Sequence, residues 1–318
     1  MAQQLQTIAA DQRAAHPVDS TRLRHSAARA IKERVIEGVL FLAAFSAVAT
    51  TVAIIYILVS ESIGFFDHVS LKDFLTDTMW TPLFADARYG ILPLVSGTLT
   101  VAFVALAVAI PMGTIVAIYL SEFAPFWVRE IVKPFLELLE AVPTVVFGYF
   151  ALLFVTPLLQ VFFPELPGFN MLSAGLVIGI FIIPYISSVA EDAMRAVPMA
   201  MREGSYAMGA TRFQTAVRVV TPSAISGIVA AYILAISRAI GETMVVAIAA
   251  GLQPNLTFNP TEQAATITAY IVQVALGDLP HGSIGYQSIF AAGLVLVLMT
   301  LGFNVIGHVL RRRFREAY

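Results

Sequence analysis

Apolar residues fall along this chain in runs of about 20 or more, the length a helix needs to cross the hydrocarbon core of a bilayer. Six such runs lie near 36–60, 92–120, 135–163, 171–190, 224–250 and 285–309. The fold class predicted is all-α, a polytopic membrane protein with six transmembrane helices. Only the short stretch "FFPELPGFN" separates the third and fourth runs. Pro111, Pro143, Pro157 and Pro184 lie inside runs and are read as kinks, since neighbouring membrane helices can re-satisfy the freed backbone. Roughly the first 34 residues are polar, so the chain is not expected to begin with a cleavable signal peptide. The expected division is a tail over 1–34, a membrane domain over 35–310 and a second tail over 311–318.

Composition agrees: 58% of residues are hydrophobic and only 13% charged, about half the charged share of a soluble domain. The net charge of −2 says little, because the position of the charges matters more than their sum. There is no cysteine, which excludes disulfides and cysteine-based metal or redox sites. His16, His25, His68, His281 and His308 are scattered, with no metal-site spacing.

Basic residues set the orientation. The N-terminal tail carries Arg13, Arg22, Arg24, Arg29, Lys32 and Arg34. Arg129 and Lys133 follow the second run; Arg195, Arg202, Arg212 and Arg218 follow the fourth; Arg311, Arg312, Arg313 and Arg315 end the chain. With six spans these groups share one side, which leaves only Lys72 and Arg88 opposite. Both termini are therefore expected in the cytoplasm.

Arg238 is the one basic residue inside a run. Counted from Ser223 it lies about 22 Å along the fifth run, near the bilayer centre. An arginine there costs at least about 2.5–3.5 kcal/mol on insertion scales and normally faces a bundle interior or an aqueous path. Glu242 lies one helical turn on, so in a continuous helix the two would share a face. Two readings stay open: a structural ion pair, or a planar, permanently charged guanidinium placed to meet an oxyanion, with Glu242 holding it when no anion is present.

The cytoplasmic stretch "REGSYAMGATRFQTAVRVVTPSA" is too patterned for a linker. Glu203 to Met208 (Glu203, Gly204, Ser205, Tyr206, Ala207, Met208) reads as a short helix, with Gly209 at a C-terminal cap that favours left-handed backbone. After Ala210, Thr211 with Gln214 matches a capping box that opens a second helix. Pro222 suits the first turn of the fifth span.

These residues resemble the permeases of binding-protein-dependent ATP-binding-cassette importers. Their cytoplasmic motif is Glu-Ala-Ala, three residues, Gly, nine residues, Ile-x-Leu-Pro. Here the same spacing holds Glu203-Gly204-Ser205, Gly209 and Val219-Val220-Thr221-Pro222, with both alanines, the isoleucine and the leucine replaced. "SRAIGETM", "YGILPLVSGTL", "ELLEAVPTVVFGYF" and "YAMGATRFQTAVRVVTP" are similar to the phosphate-specific permeases. The first outer loop, "FLTDTMWTPLF", resembles the PstC type, the first of two paralogues.

The resemblance, from about residue 35 to 310, implies a type I importer permease in a bacterial cytoplasmic (inner) membrane. The loop 195–222 is then a coupling element that docks in a groove of the ATPase. The implied partners are a paralogous second permease, a homodimeric ATP-binding subunit and an extracytoplasmic phosphate-binding protein. No cofactor is expected in this chain; ATP and magnesium belong to the ATPase. Consistently, Lys32, Lys72 and Lys133 are the only lysines and none follows a glycine, so no P-loop exists and the chain is not itself an enzyme. No nucleic-acid partner is expected.

Glu137 and Glu140, read as opening the third span, are expected to line a cytoplasmic vestibule or pair with nearby cations rather than bind substrate, with repulsion of phosphate toward the exit as an alternative. Glu191 and Asp192 are assigned to the interface around the coupling loop. Thr261–Gly277, with Pro260 at a helix start, is read as a re-entrant or surface helix, or as packing over the bundle. A secondary transporter would show related halves with broken helices, and no such repeat is visible. A receptor or scaffold needs no charge in mid-membrane. Sulfate, molybdate and phosphonate remain alternative substrates. A reporter fused after Tyr318 is expected to be active on the cytoplasmic side alone; activity only outside overturns this topology.

Overall fold

The computed structural model describes residues 27–313, except 83, 85, 278 and 281. Arg13, Arg22 and Arg24 of the N-terminal basic cluster, together with His16, His25, His281 and Arg315, lie outside them. The chain divides into two compact units, residues 1–57 and 58–318. The first unit holds the N-terminal part of helix α1 (Ala27–Phe66), with Phe41 stacked on Phe45 at 6.3 Å.

Long helices dominate the second unit: α3 (Leu92–Phe123), α5 (Thr144–Phe162), α6 (Met171–Arg195) and α12 (Ile284–Arg313). Between or beside them run α2 (Leu71–Thr76), α4 (Phe126–Ala141), α7 (Met199–Ala207), α8 (Arg212–Ser223), α9 (Ile225–Ile240), α10 (Met244–Ala249) and α11 (Ile267–Ala275). Among the described residues five helices are long and apolar enough to cross a membrane, or six if α8 and α9 are taken as one bent span. No strand occurs among them. The fold is all-α, and the count agrees with the six runs once the bent pair is included.

The third run differs from expectation. Pro143 breaks the helix rather than kinking it. The residue before a proline is driven out of the α region, and Val142 sits extended at φ −66, ψ 129. Residues 135–141 therefore belong to α4, a separate amphipathic helix, and the span starts at Thr144. On α4 the charged Arg129, Lys133, Glu137 and Glu140 form one stripe; exposed Trp127, Ile131, Phe135 and Leu138 form another.

The fifth run differs too. Pro222 lies in α8, ahead of a 71° bend, and α9 starts at Ile225. The span helix then stops at Ile240 and restarts as α10 at Met244, instead of running through 224–250. The outer segment becomes helical only at Ile267, well after Pro260, with Thr266 capping the amide of Ala269. Residues Ile267–Tyr270 are buried, so α11 packs within the bundle and does not lie on its surface.

Packing uses small residues, as expected where helices cannot rely on expelling water. A Cβ on Gly179 of α6 would sit 2.8 Å from the Ala105 carbonyl of α3, so only glycine permits that approach. A second core joins Phe65, Phe74, Trp80 and Tyr270 through edge-to-face rings 5.0–6.2 Å apart. A third gathers Ala190, Met194, Val197, Val220, Ala224 and Ile228 around the α8–α9 bend.

Beyond α6 the short helix matches the reading closely, spanning Met199–Ala207 rather than Glu203–Met208. Gly209 has φ +82; its amide donates to the Tyr206 carbonyl, and Ala210 donates to that of Ser205. That pair of bonds is a Schellman cap. Thr211 and Gln214 form the reciprocal capping box at the start of α8. Gly209→Val is expected to cost about 1–2 kcal/mol, because a side chain there must hold a left-handed backbone. Gly204→Ala, in ordinary helix with open space around it, is expected to gain up to about 1 kcal/mol. Amide exchange over 199–215 in the assembled protein measures both; equal protection in the two variants would refute the cap.

Candidate functional site

The site forms where α9 ends. Arg238 lies in the last turn of α9, about 20 Å from its start. Its guanidinium carbon is 5.3 Å from the ring centre of Phe181 and 5.6 Å from that of Tyr185, both on α6. Cation–π contact of this kind is attractive and strengthens as water is excluded. The Nε atom is buried with no hydrogen-bond partner. No described residue lies within ion-pairing distance of Arg238.

Glu242 is not its partner. The helix ends between them, so the expected shared face does not exist. Instead the Glu242 carboxylate, 8% exposed, accepts from the amides of Met244 and Val245 at 3.2 and 3.3 Å. It answers donors orphaned at the start of α10 and places negative charge at a helix N-terminus. Thr268 of α11 donates to the Glu242 carbonyl at 2.6 Å, and the Ile267 amide donates to Thr98 Oγ1 at 3.0 Å. The break is thus pinned by α11 and α3, and Arg238 keeps its terminal nitrogens unengaged. The ion-pair alternative is corrected: one residue presents charge, the other caps a helix.

Glu137 and Glu140 lie on α4, ahead of the third span and not within it. Glu137 is exposed and Glu140 half-buried.

The acids near the end of α6 pair mainly with α4. Glu191, fully buried, is ringed by Arg129 at 3.3 Å, Arg195 at 3.6 Å and Lys133 at 3.7 Å. These are ion-pair separations without hydrogen-bond geometry. Glu191 therefore ties α6 to α4 and also meets Arg195, the first residue of the 195–222 segment. Asp192 meets Lys133 at 3.0 Å. Burial pushes Lys133 down, but its bond to Asp192 and the charges of Glu191, Asp192 and Glu137 outweigh it and hold the amine above its ordinary value.

The link to the coupling loop is a pair with no motif to mark it. Arg202 of α7 bonds Glu122 at 3.0 Å and the carbonyls of Met194 and Val197 at 2.9 and 2.6 Å. It clamps the start of α7 to the ends of α6 and α3. Ser205 meets Thr215 of α8 at 2.9 Å. Outward, Tyr206, Met208 and Phe213 stand exposed, Met208 at 89%. Among the described residues no group of three His, Asp or Glu side chains is set to hold a metal.

Comparison with known proteins agrees with this architecture. Residues 109–316 match the family described as binding-protein-dependent transport system inner membrane component. The probable ABC transporter permease protein YqgH of Bacillus subtilis is 34% identical over 84% of this chain and 86% of its own length. The phosphate transport system permease protein PstC of Haemophilus influenzae is 30% identical over 82% of this chain and 88% of its own. Among solved structures, a bacterial alginate ABC transporter in complex with an alginate pentasaccharide-bound periplasmic protein superposes with a TM-score of 0.61. It shares 18% identity and covers 90% of this chain and 99% of that one. An inward-facing MetNI methionine ABC transporter gives 0.52 at 18% identity, covering 71% and 95%. The chain therefore belongs to the binding-protein-dependent transport system inner membrane components and, within them, to the PstC-type permeases.

Proposed function

We propose that this chain forms half of the membrane path of an ATP-driven importer of inorganic phosphate. As a multi-pass permease subunit it is not itself an enzyme. One observation carries the substrate reading: Arg238 is a permanent cation inside an apolar bundle, and among the described residues no anion lies within ion-pairing distance of it. A guanidinium lying over two rings of α6, with no described residue bonded to its terminal nitrogens, is suited to a two-oxygen grip on an oxyanion. The relatives named as phosphate permeases support phosphate in particular.

Energy enters from outside the chain. The α7–α8 element, rigid through its caps and edged by Tyr206, Met208 and Phe213, is suited to seat in an ATPase groove. That ATPase, a homodimer, binds ATP and magnesium. A single Arg238 cannot satisfy all the oxygens of phosphate, so the second basic group comes from a paralogous permease. An extracytoplasmic phosphate-binding protein delivers the anion, and both termini lie in the cytoplasm. A permease for sulfate, molybdate or phosphonate would share this chemistry. A secondary transporter would not require ATP.

Proteoliposomes containing the whole complex decide between these. Labelled phosphate is expected to enter only with ATP, with the other oxyanions competing weakly. Equal competition by sulfate or molybdate overturns phosphate as the substrate. Arg238→Ala should abolish uptake while the complex still assembles and binds ATP, and Arg238→Lys should recover little of it. Normal uptake by Arg238→Ala would reject a substrate contact.

Glu242→Gln keeps an acceptor oxygen for the two amides and loses only the helix-dipole contribution, about 0.3–1 kcal/mol. It is expected to transport nearly normally. Glu242→Ala removes the cap, at about 0.5–2 kcal/mol, and should lower thermal stability. If Glu242→Gln were as inactive as Arg238→Ala, the capping role would be wrong.

A further inference from the structure

Since Glu242 is committed to the start of α10, a different anion must answer Arg238 when no substrate is present. Two contacts fix which one. Lys133 of α4 reaches Asp192 of α6 at 3.0 Å, and Phe147 of α5 stacks on Phe181 of α6 at 5.4 Å. Between these anchors the chain from α4 to α5 climbs while α6 descends, so the two are antiparallel. Two turns on from Lys133 is Glu140, and two turns back from Asp192 is Tyr185. Glu140 therefore comes level with the stretch of α6, Phe181 to Tyr185, over which the Arg238 guanidinium lies.

Neither charge has a hydrogen bond or ion pair within the described structure. No ion pair joins them, so the gap between them is wider than an ion-pair contact. Burial pushes the Glu140 carboxyl above its ordinary range, Arg238 pulls it back down, and Glu137 adds to the rise. The two groups thus feel each other without touching.

We propose that Glu140 is the resident counter-anion of Arg238, a carboxylate that substrate displaces on arrival and that helps expel it afterwards. The inference rests on Arg238 being the oxyanion contact. A site inside a transport path must bind well enough to admit its ion and weakly enough to let it go. A lone guanidinium in low-dielectric surroundings binds phosphate tightly and has no means of release. A carboxylate on the last turn of α4, next to the helix break at Val142–Pro143, supplies one. It reaches the guanidinium by side-chain rotation, lowers the net charge of the site and competes with the anion for the same nitrogens. When phosphate occupies the guanidinium, Glu140 stands off.

The test uses the assembled transporter in detergent, without ATP and without binding protein, and labelled inorganic phosphate as probe. Glu140→Gln is expected to raise phosphate affinity on the order of tenfold, the change that about 1.4 kcal/mol of competition represents. The same variant in proteoliposomes should slow uptake severalfold at saturating phosphate. Combining it with Arg238→Ala should erase the gain in affinity. Glu140→Asp keeps the charge on a shorter stem and should fall between, and it carries the test if glutamine prevents assembly. If Arg238→Ala abolishes uptake but Glu140→Gln leaves affinity and rate unchanged, the counter-anion role is wrong and the arginine contact stands. If Arg238→Ala transports normally, the arginine contact itself falls.

Discussion

A helix broken inside an apolar bundle must have each freed backbone group answered, and the way this is done between Ile240 and Met244 governs the rest of the site. Water is scarce there, and an unsatisfied amide costs several kcal/mol in a lipid-like environment. Glu242 answers two amides and Thr268 answers one carbonyl. Because that carboxylate is occupied, no described anion stands within ion-pairing distance of Arg238. Because α11 supplies Thr268, the outer segment is buried within the bundle. The cap, the unpaired position of Arg238 among the described residues and the inserted α11 helix follow from one break.

At the other end the constraint is charge rather than backbone. Glu191 has no exposure and three cations around it. Such a cluster is a weak source of net stability but is very sensitive to losing one member, since an uncompensated buried charge remains. Its value here is geometric. It fixes the register of α4 against α6, and that register brings Glu140 level with Arg238. Arg202 and Glu122, at 12% and 6% side-chain exposure, do the same for α7 against α6 and α3.

What was legible in the sequence follows the range of the forces involved. Four of the six long apolar runs, the Gly209 cap and the Thr211–Gln214 box are local, and each of these appears where its residues predict. Arg238 was legible as a misplaced charge because burial is expensive wherever it occurs. Its relation to Glu242 was not, since one-turn spacing implies contact only if the helix continues. Nothing apolar in "SRAIGETM" signals a stop; Gly241 is a weak breaker, and it takes Thr268, distant in sequence, to hold the break open. Pro143 was visible but ambiguous, as the same residue type stays helical at Pro111 and Pro184. What separates them is the polar stripe of α4, which gives the preceding segment a reason to leave the span's axis. Arg202–Glu122 and Glu191 depend on pairings between distant segments that one sequence does not carry.

The chain also connects its two ends with few intervening joints. The α7 element is joined to α8 by Ser205 and Thr215 and to α6 by Arg202. The α8 helix passes through one 71° bend, packed by Val220, Ala224 and Ile228, into α9. The last turn of α9 holds Arg238 against Phe181 and Tyr185 of α6. Two helical routes, α8–α9 and α6, therefore run from the proposed coupling element to the two sides of the same contact. A displacement of α7 that turns one route relative to the other changes how Arg238 sits on its rings, and thereby how far it stands from Glu140. Coupling of the kind proposed needs no dedicated wire in this arrangement. It needs only that close-packed helices move as bodies, and the bend at Ala224 is where one route can turn against the other.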